Sequence, residues 1–184
     1  NLSDELTRNQ SLNTAEQITL RLENLLHERT NDLALLANLW RTYPESERAE
    51  RFLIDATRIA VQEPAYHVIN YVDEQSVIRI SAPPGKRPEL IDLDLKTLPG
   101  RTDLHQKVRN SGMPIASPPM TLTNGHPGTV IWFPVLERDS SSSSFGGMIA
   151  GTFHIEEVIQ RAITTSDVEE FLIRIKLEGT EVYT

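Results

Sequence analysis

The sequence predicts an α+β fold, in which one mainly antiparallel sheet has helices packed against it. Residues 1–40 contain neither proline nor glycine, and their apolar residues recur at the spacing of an amphipathic helix. Apolar, β-prone runs bounded by turn residues follow at 66–81, 129–136 and 147–155. Because the first helices and the later strands form separate groups, an antiparallel sheet is favoured over a parallel one.

The first helix is expected to be longer than its own domain can cover. Its apolar stripe is interrupted by Arg29 and otherwise consists of Ala15, Ile18, Leu22, Leu25, Leu33, Leu36 and Trp40. About 40 helical residues extend about 60 Å. We therefore expect the part before residue 15 to be a stalk that pairs with its copy in a homodimer or continues a transmembrane helix. The alternative is a helix folded back along its own domain.

A second helix is predicted to follow directly. Residues 42–45, Thr-Tyr-Pro-Glu, supply a stop and a new start, since proline is tolerated in a first helical turn. Pro64 ends this helix. Its single apolar face carries Phe52, Ala56, Ile59 and Ala60.

A β-hairpin and a long loop come next. Two β-prone runs, 66–72 and 77–81, flank the turn sequence Asp-Glu-Gln-Ser and predict the hairpin. The proline-marked stretch 82–99 predicts a loop with short extended pieces around 91–95. Long loops in compact domains are often binding elements, so this one is a candidate to cover a ligand.

A short helix is expected after the loop. Thr102 and Asp103 are suited to cap it, and Leu104 and Val108 form its inner face. Gly112 ends it, at the position that favours a left-handed turn.

The rest of the chain predicts mostly strand. Short extended pieces at 113–117 and 120–122 precede the strands 129–136 and 147–155. The serine run at 140–144, between these two strands, is interpreted as a flexible solvated loop.

A last helix is expected to begin at Glu156 and to bury Val158, Ile159 and Ala162. After it, alternating apolar residues at 171–177 predict a half-buried strand that turns at 178–179 into 181–183. We expect this strand to lie in the same sheet as the earlier ones.

Composition limits the class of protein. The chain has 184 residues, no cysteine and a formal net charge of −8. Acidic residues spread along the chain argue against a nucleic-acid partner, which requires a basic face. Since no run approaches the roughly 18 apolar residues of a membrane helix, we interpret the chain as a soluble domain lying between two membrane spans. A cytosolic protein is the alternative.

Motifs for catalysis, metal binding or cofactor binding are missing. None of the five histidines has a partner at the spacing of a zinc site, although a metal site assembled in three dimensions stays open. The serine run lacks the glycines of a nucleophile elbow. The glycines at 147 and 151 lack the lysine of a phosphate-binding loop. We therefore expect no catalytic residue, no metal ligand and no cofactor.

The motifs of the central stretch resemble those of a known family. SPPMTL at 117–122 is followed by GTVIWFPV at 128–135 and by GMIAGTFHIEEVI at 147–159. Together with INYVD at 69–73 and RNSG at 109–112, this order is similar to the CHASE domain. CHASE domains are extracellular sensor modules of transmembrane histidine kinases, diguanylate cyclases and related receptors.

The resemblance implies an architecture and a location. Residues 64–165 would be a PAS-like sensor core, preceded by the long helix and the packed second helix of 1–63. Residues 166–184 would begin a membrane-proximal part, truncated in this chain. The domain would face the periplasm or the extracellular space, with transmembrane helices on either side and a kinase or cyclase in the full-length receptor.

Arg101 is the residue whose own chemistry suggests recognition. It stands at the start of a helix, where free N–H groups and the positive dipole end favour an anion, and Gly100 lets a backbone approach. Its guanidinium fits a carboxylate. Asp103 in the first turn can occupy the same N–H groups, and an exposed Arg101 without a ligand is the alternative.

The similarity to plant cytokinin receptors within this family adds further positions. It places Arg101 where those receptors have a ligand-binding aspartate, and Leu122 where a strand backbone meets the ligand. Trp132 replaces a small threonine, and Met148 and Ala150 match pocket-facing positions. The fold is thus expected to carry over, with a small, anionic ligand instead of a cytokinin. The alternatives are a ligand-free dimerisation module and, with less support, a hydrolytic enzyme.

Overall fold

The structure, a computed structural model, describes residues 2–139, 142–163, 175–177 and 180–183. It confirms the α+β fold with a long N-terminal helix and an antiparallel sheet. The helices are α1 (Leu2–Thr42), α2 (Arg48–Gln62), α3 (Arg101–Ser111) and α4 (Ile155–Ala162). The strands are β1 (Tyr66–Val72), β2 (Ile78–Ala82), β3 (Ile115–Ala116), β4 (Met120–Thr121), β5 (Pro127–Asp139), β6 (Ser142–His154), β7 (Ile175–Leu177) and β8 (Thr180–Tyr183).

The main sheet separates two apolar cores. Its strand order is β2-β1-β6-β5-β3, with β4 also paired to β5, and the pairing is antiparallel throughout. Because side chains alternate across a strand, Ile149 and Phe153 of β6 pack against α1, α2 and α4. Met148 and Ala150 lie in the core on the opposite face. That second core is closed by α3 and by residues 83–100, which we name the covering loop.

The long helix α1 is packed along only part of its length. Residues 5–13 are exposed, and Ile18 is the first buried side chain among the described residues of the helix. Leu6 and Leu12 are more than half exposed. Among the described residues, no helix is long and apolar enough to span a membrane.

Arg29, which interrupts the apolar stripe of α1, is buried in an ionic cluster. Its guanidinium lies 2.5 Å from the carboxylate of Glu63 and 3.3 Å from that of Asp32. The Tyr66 hydroxyl donates a hydrogen bond of 2.8 Å to the Arg29 carbonyl. Burial raises the pKa of the Asp32 carboxyl, against the influence of Arg29. The cluster therefore joins α1 to the end of α2 and to the start of β1.

Two predicted helix starts were wrong by a few residues. The helix α2 begins at Arg48, after a 3-10 turn at Glu45–Glu47, rather than within 42–45. The helix α3 begins at Arg101 with Gly100 at its N-cap, so Thr102 and Asp103 do not cap it. Gly100 has φ 72°, a conformation that favours glycine. Because glycine has no side chain, this helix start lacks the capping residue by which a sequence pattern would indicate it.

The serine run was also interpreted incorrectly. Ser142, Ser143 and Ser144 belong to β6 and pair with Asp139, Arg138 and Glu137 of β5. Polar side chains do not prevent a backbone ladder, so the hairpin extends further than its apolar part. Residues 140 and 141 lie outside the described part of the chain.

The predicted strand at 171–177 does not join the main sheet where it is described. β7 pairs with β8 in a separate two-stranded sheet, which confirms the hairpin itself. Residues 171–174 and 178–179 lie outside the described residues. The outer edge of β2 is already occupied, since Ile78 exchanges backbone hydrogen bonds with Asp92 and Leu93 of the covering loop.

Candidate functional site

A small cavity lies in the second core, between the sheet and the covering loop. Its volume is about 40 Å³, enough for one or two water molecules. Its walls come from β1, β2, β5, β6, the covering loop, the start of α3 and the turn before β5. They consist of His67, Val68, Asn70, Val72, Ile78, Arg87, Leu90, Leu93, Leu95, Leu98, Arg101, Leu122, Thr123, Val130, Trp132, Ala150 and Thr152.

Four of the five residues predicted to bind a ligand share this cavity. Arg101, Leu122, Trp132 and Ala150 line it. Met148 is fully buried in the same core but is not part of the wall. The structure thus brings these positions together, and their role in binding stays a prediction.

Arg101 gives the cavity a positive wall. The residue is 8% exposed, and burial lowers the pKa of its guanidinium. A guanidinium keeps its proton even so. Within the described part of the chain, the Arg101 side chain has no hydrogen bond and no carboxylate partner. Because the surrounding residues restrict its contact with water, an unpaired guanidinium at this position favours an incoming anion.

Two further residues of the cavity wall carry a buried polar atom without a partner. The indole Nε1 of Trp132 and the amide Oδ1 of Asn70 are both buried and make no hydrogen bond. Trp132 and Asn70 are the cross-strand partners of Ala150 on its two sides, in β5 and β1. The small side chain of Ala150 therefore leaves space between a donor and an acceptor, with neighbouring strands about 4.8 Å apart.

The covering loop is attached to the sheet by Arg87. Its Nη1 lies 3.1 Å from Nε2 of His67, and its Nη2 donates a hydrogen bond of 2.9 Å to Oγ1 of Thr123. Its Nε contacts the carboxylate of Glu89. This arginine thus connects the loop with β1 and with the turn before β5.

Leu122 contributes its side chain to the cavity rather than its backbone. Its N–H donates to the carbonyl of His126 at 2.9 Å, and its carbonyl accepts from the N–H of Gly125 at 2.9 Å. Both groups close the turn before β5. The expectation that the Leu122 backbone would meet the ligand therefore requires this turn to open.

Sequence reasoning missed Asn70, Arg87 and His67 as cavity residues. Asn70 could have been found, because it shares a strand face with Val68 and Val72, and a polar residue among apolar neighbours is informative. Arg87 gives no such signal, since its position depends on how the covering loop folds.

Elsewhere, the Ser76 hydroxyl lies 2.6 Å from Nδ1 of His105. Ser76 is 2% exposed, and no hydrogen-bonded carboxylate orients the imidazole among the described residues. This pair holds the β1–β2 turn against α3.

In the described ranges, no group of three or more histidine, aspartate or glutamate side chains could hold a metal ion.

Comparison with known proteins identifies one family and several solved structures of similar fold. The model of the CHASE domain family matches residues 23–182. No curated protein matches the chain. An extracellular ligand-binding receptor from Desulfohalobium retbaense superposes with a TM-score of 0.67 at 16% identity, over 91% of this chain and 30% of that one.

Two chemoreceptor domains are also similar. The sensory domain of Campylobacter jejuni Tlp3, solved with isoleucine bound, has a TM-score of 0.65 at 11% identity, over 88% of this chain and 64% of that one. The ligand-binding domain of Pseudomonas aeruginosa PctC, in complex with GABA, has a TM-score of 0.59 at 17% identity, over 86% and 66%. The chain thus spans less than two thirds of the length of each of these three structures, and at such identities the likeness concerns the fold.

Proposed function

The chain belongs to the CHASE domain family of extracellular sensor domains, and we propose that it senses a small amino carboxylate bound in the cavity beneath the covering loop. The observation that carries this proposal is Arg101, a mostly buried residue of the cavity wall whose guanidinium has no partner in the described part of the chain. Such a group would pair with a carboxylate through two charge-assisted hydrogen bonds.

The other unpartnered atoms fit the rest of such a ligand. The N–H of Trp132 is a second donor for an anionic group, and the amide of Asn70 offers an acceptor for an ammonium group. Isoleucine and GABA, bound by the two similar chemoreceptor domains, are both amino carboxylates. The resemblance to the cytokinin receptors places Arg101 at the position of their ligand-binding aspartate, so an adenine-type ligand is not expected.

Binding would require the covering loop to move. Ligand sites usually measure roughly 300 to 1,000 Å³, whereas this cavity has about 40 Å³. Gly85 and Gly100, near the two ends of the loop, have φ angles of 76° and 72°. A Cβ atom added at either position would meet nothing within 4 Å. These two points are therefore suited to act as hinges.

A thermal-shift panel tests the proposal. We expect amino acids or GABA, at about a hundred times Kd, to stabilise the domain by about 2.7 kcal/mol and to raise Tm by roughly 5 to 10 °C. Acetate, simple amines and adenine serve as matched partial ligands at pH 7.5. Stabilisation by adenine or amines alone would contradict the proposal. A lack of stabilisation by every compound would favour the ligand-free dimerisation module.

We propose that three segments of the chain have different roles. Residues 64–165 would form the sensing core, residues 1–63 would carry the signal, and residues 166–184 would begin a membrane-proximal part. The signal would reach a kinase or cyclase through transmembrane helices that flank the domain in the full-length receptor.

The exposed start of α1 supports a homodimer in that receptor. Leu6 and Leu12 are 58% and 53% exposed, and a parallel partner helix would cover such side chains. In membranes containing the full-length receptor, we expect Leu6→Cys to give a disulfide-linked dimer on mild oxidation. Ile54→Cys, at an exposed position of α2, is the control that should stay monomeric. Equal cross-linking of the two variants would contradict this prediction.

A further inference from the structure

Three histidines form a cluster at the rim of the cavity. The ring of His67 in β1 stacks on that of His154 at the end of β6, with centroids 4.2 Å apart and planes at 23°. The ring of His126, in the turn before β5, lies 5.3 Å from that of His154. His67 also lines the cavity itself, so the cluster and the candidate ligand site are adjacent.

Fixed charges face this cluster from the covering loop and from α4. Lys86 and Arg87 bring two positive charges towards His67 and His154. The acidic neighbours are Glu89, which is in contact with Arg87 and exposed, and Glu157 of α4, which is also exposed. A proton added to the stacked rings therefore meets like charge at short range.

The bond between Arg87 and His67 defines a protonation state. The guanidinium can only donate, so Nε2 of His67 must accept and the imidazole must be neutral. In His154, Nε2 lies 2.9 Å from Nδ2 of Asn124, which also donates. A proton on His67 would remove the acceptor of Arg87 and place a positive charge beside the guanidinium.

We propose that His67, His126 and His154, together with Arg87, form a pH-sensitive latch that holds the covering loop closed near neutral pH and releases it in acid. Its link to sensing rests on the proposed function of the cavity. The latch itself is a property of the ligand-free domain, so its test needs no ligand.

The expected direction follows from proton linkage. Burial, followed by the charge of His154, lowers the pKa of His67 from 6.5 to about 4 in the closed domain. Burial and then His126 lower the pKa of His154 as well. If the open loop restores an ordinary pKa, the closed form binds fewer protons. Closure is then fully favoured above about pH 6.5 and weakens as pH falls towards 4, by up to about thirtyfold at pH 5 for His67 alone.

Hydrogen–deuterium exchange of the ligand-free domain tests the latch. The N–H groups of Lys86, Leu90 and Ile91 are hydrogen-bonded within the loop and report its opening. Labelling times are scaled to intrinsic exchange rates, and α2 serves as the internal reference. Between pH 7.5 and 5.0, we expect protection of these three groups to fall about tenfold or more relative to α2. An unchanged ratio would overturn the proposal.

Two variants separate the latch from a general effect of acid. His67→Gln keeps an acceptor for Arg87 but does not titrate, so we expect it to reduce the response strongly, leaving only the contribution of His154. His27→Gln, at an exposed position of α1, is the matched control and should retain the response. A response in His67→Gln equal to that of the parent would contradict the latch.

Histidine NMR titration of the parent protein keeps the test decisive if His67→Gln does not fold. A pKa of His67 well below 6.5 supports the latch, and a pKa of 6.5 or above overturns it. Failure of the ligand panel at pH 7.5 would instead count against the proposed ligand and leave these measurements unaffected.

Discussion

Replacing Arg101 by methionine is expected to stabilise the ligand-free domain while weakening ligand binding by about ten- to a hundredfold. The weakening follows from the loss of charge-assisted hydrogen bonds worth roughly 1.5 to 3 kcal/mol. The stabilisation follows from burial, since Arg101 is 8% exposed and has no carboxylate partner in the described part of the chain. Methionine retains an apolar chain of similar length, and we expect the free energy of unfolding to rise by about 1 kcal/mol or more.

Urea unfolding and calorimetric titration with the most stabilising panel compound measure the two effects. Arg58→Met is the matched control, because the Arg58 side chain is 63% exposed on α2. It should change neither quantity by much, as is usual for surface sites. A loss of stability in Arg101→Met with unchanged affinity would show that Arg101 supports the fold rather than the ligand.

Gly147→Ala is expected to destabilise the domain by about 2 to 5 kcal/mol. Gly147 has φ 108°, and an added Cβ would lie 2.4 Å from the backbone carbonyl oxygen of Val72. Rotating a side chain cannot relieve either the positive φ of residue 147 or this close contact. The contact is with the backbone of the neighbouring strand β1. Whole domains have a free energy of unfolding of only about 5 to 15 kcal/mol, so Gly147→Ala would remove a large share of it.

The preceding residue provides a control at almost the same place. In Gly146→Ala, the added Cβ would meet the side chain of Glu137, with its Cγ at 2.7 Å. That side chain is partly exposed and can move, at the cost of its 2.9 Å ion pair with Arg48, so we expect a smaller loss of about 1 kcal/mol in urea unfolding. Equal losses for the two variants would show that the backbone conformation at Gly147 is not the cause.

The sequence predicted the elements of this fold better than their partners. Alternation and helical spacing located β1, β2, α1 and α2, because each pattern is set by one element's own buried face. The separate pairing of β7 with β8 was not predictable in this way. A half-buried strand has the same alternation whichever edge it joins, and the extended piece predicted around 91–95 did not indicate that Asp92 and Leu93 would occupy the edge of β2.

The cavity shows the same limit at the level of single residues. Arg101 could be proposed from its place at a helix start, and Trp132 and Ala150 from the family resemblance. That Trp132, Ala150 and Asn70 lie side by side depends on the register of three strands. Register is a property of pairs of strands, so no local pattern reports it.

The thinness of the sheet beneath the cavity has a mechanical consequence for α1. Ala150 lines the cavity, and the next residue, Gly151, is so close to Leu33 of α1 that an added Cβ would lie 3.1 Å from its Cδ1. A displacement of β6 by a ligand would thus reach the helix across a single residue. From Ile18, its first buried residue in the described range, α1 projects about 24 Å to Leu2. The helix is then a lever with its pivot in the core, and a tilt of about 5° moves its far end by about 2 Å, the size of helix shifts in switching proteins.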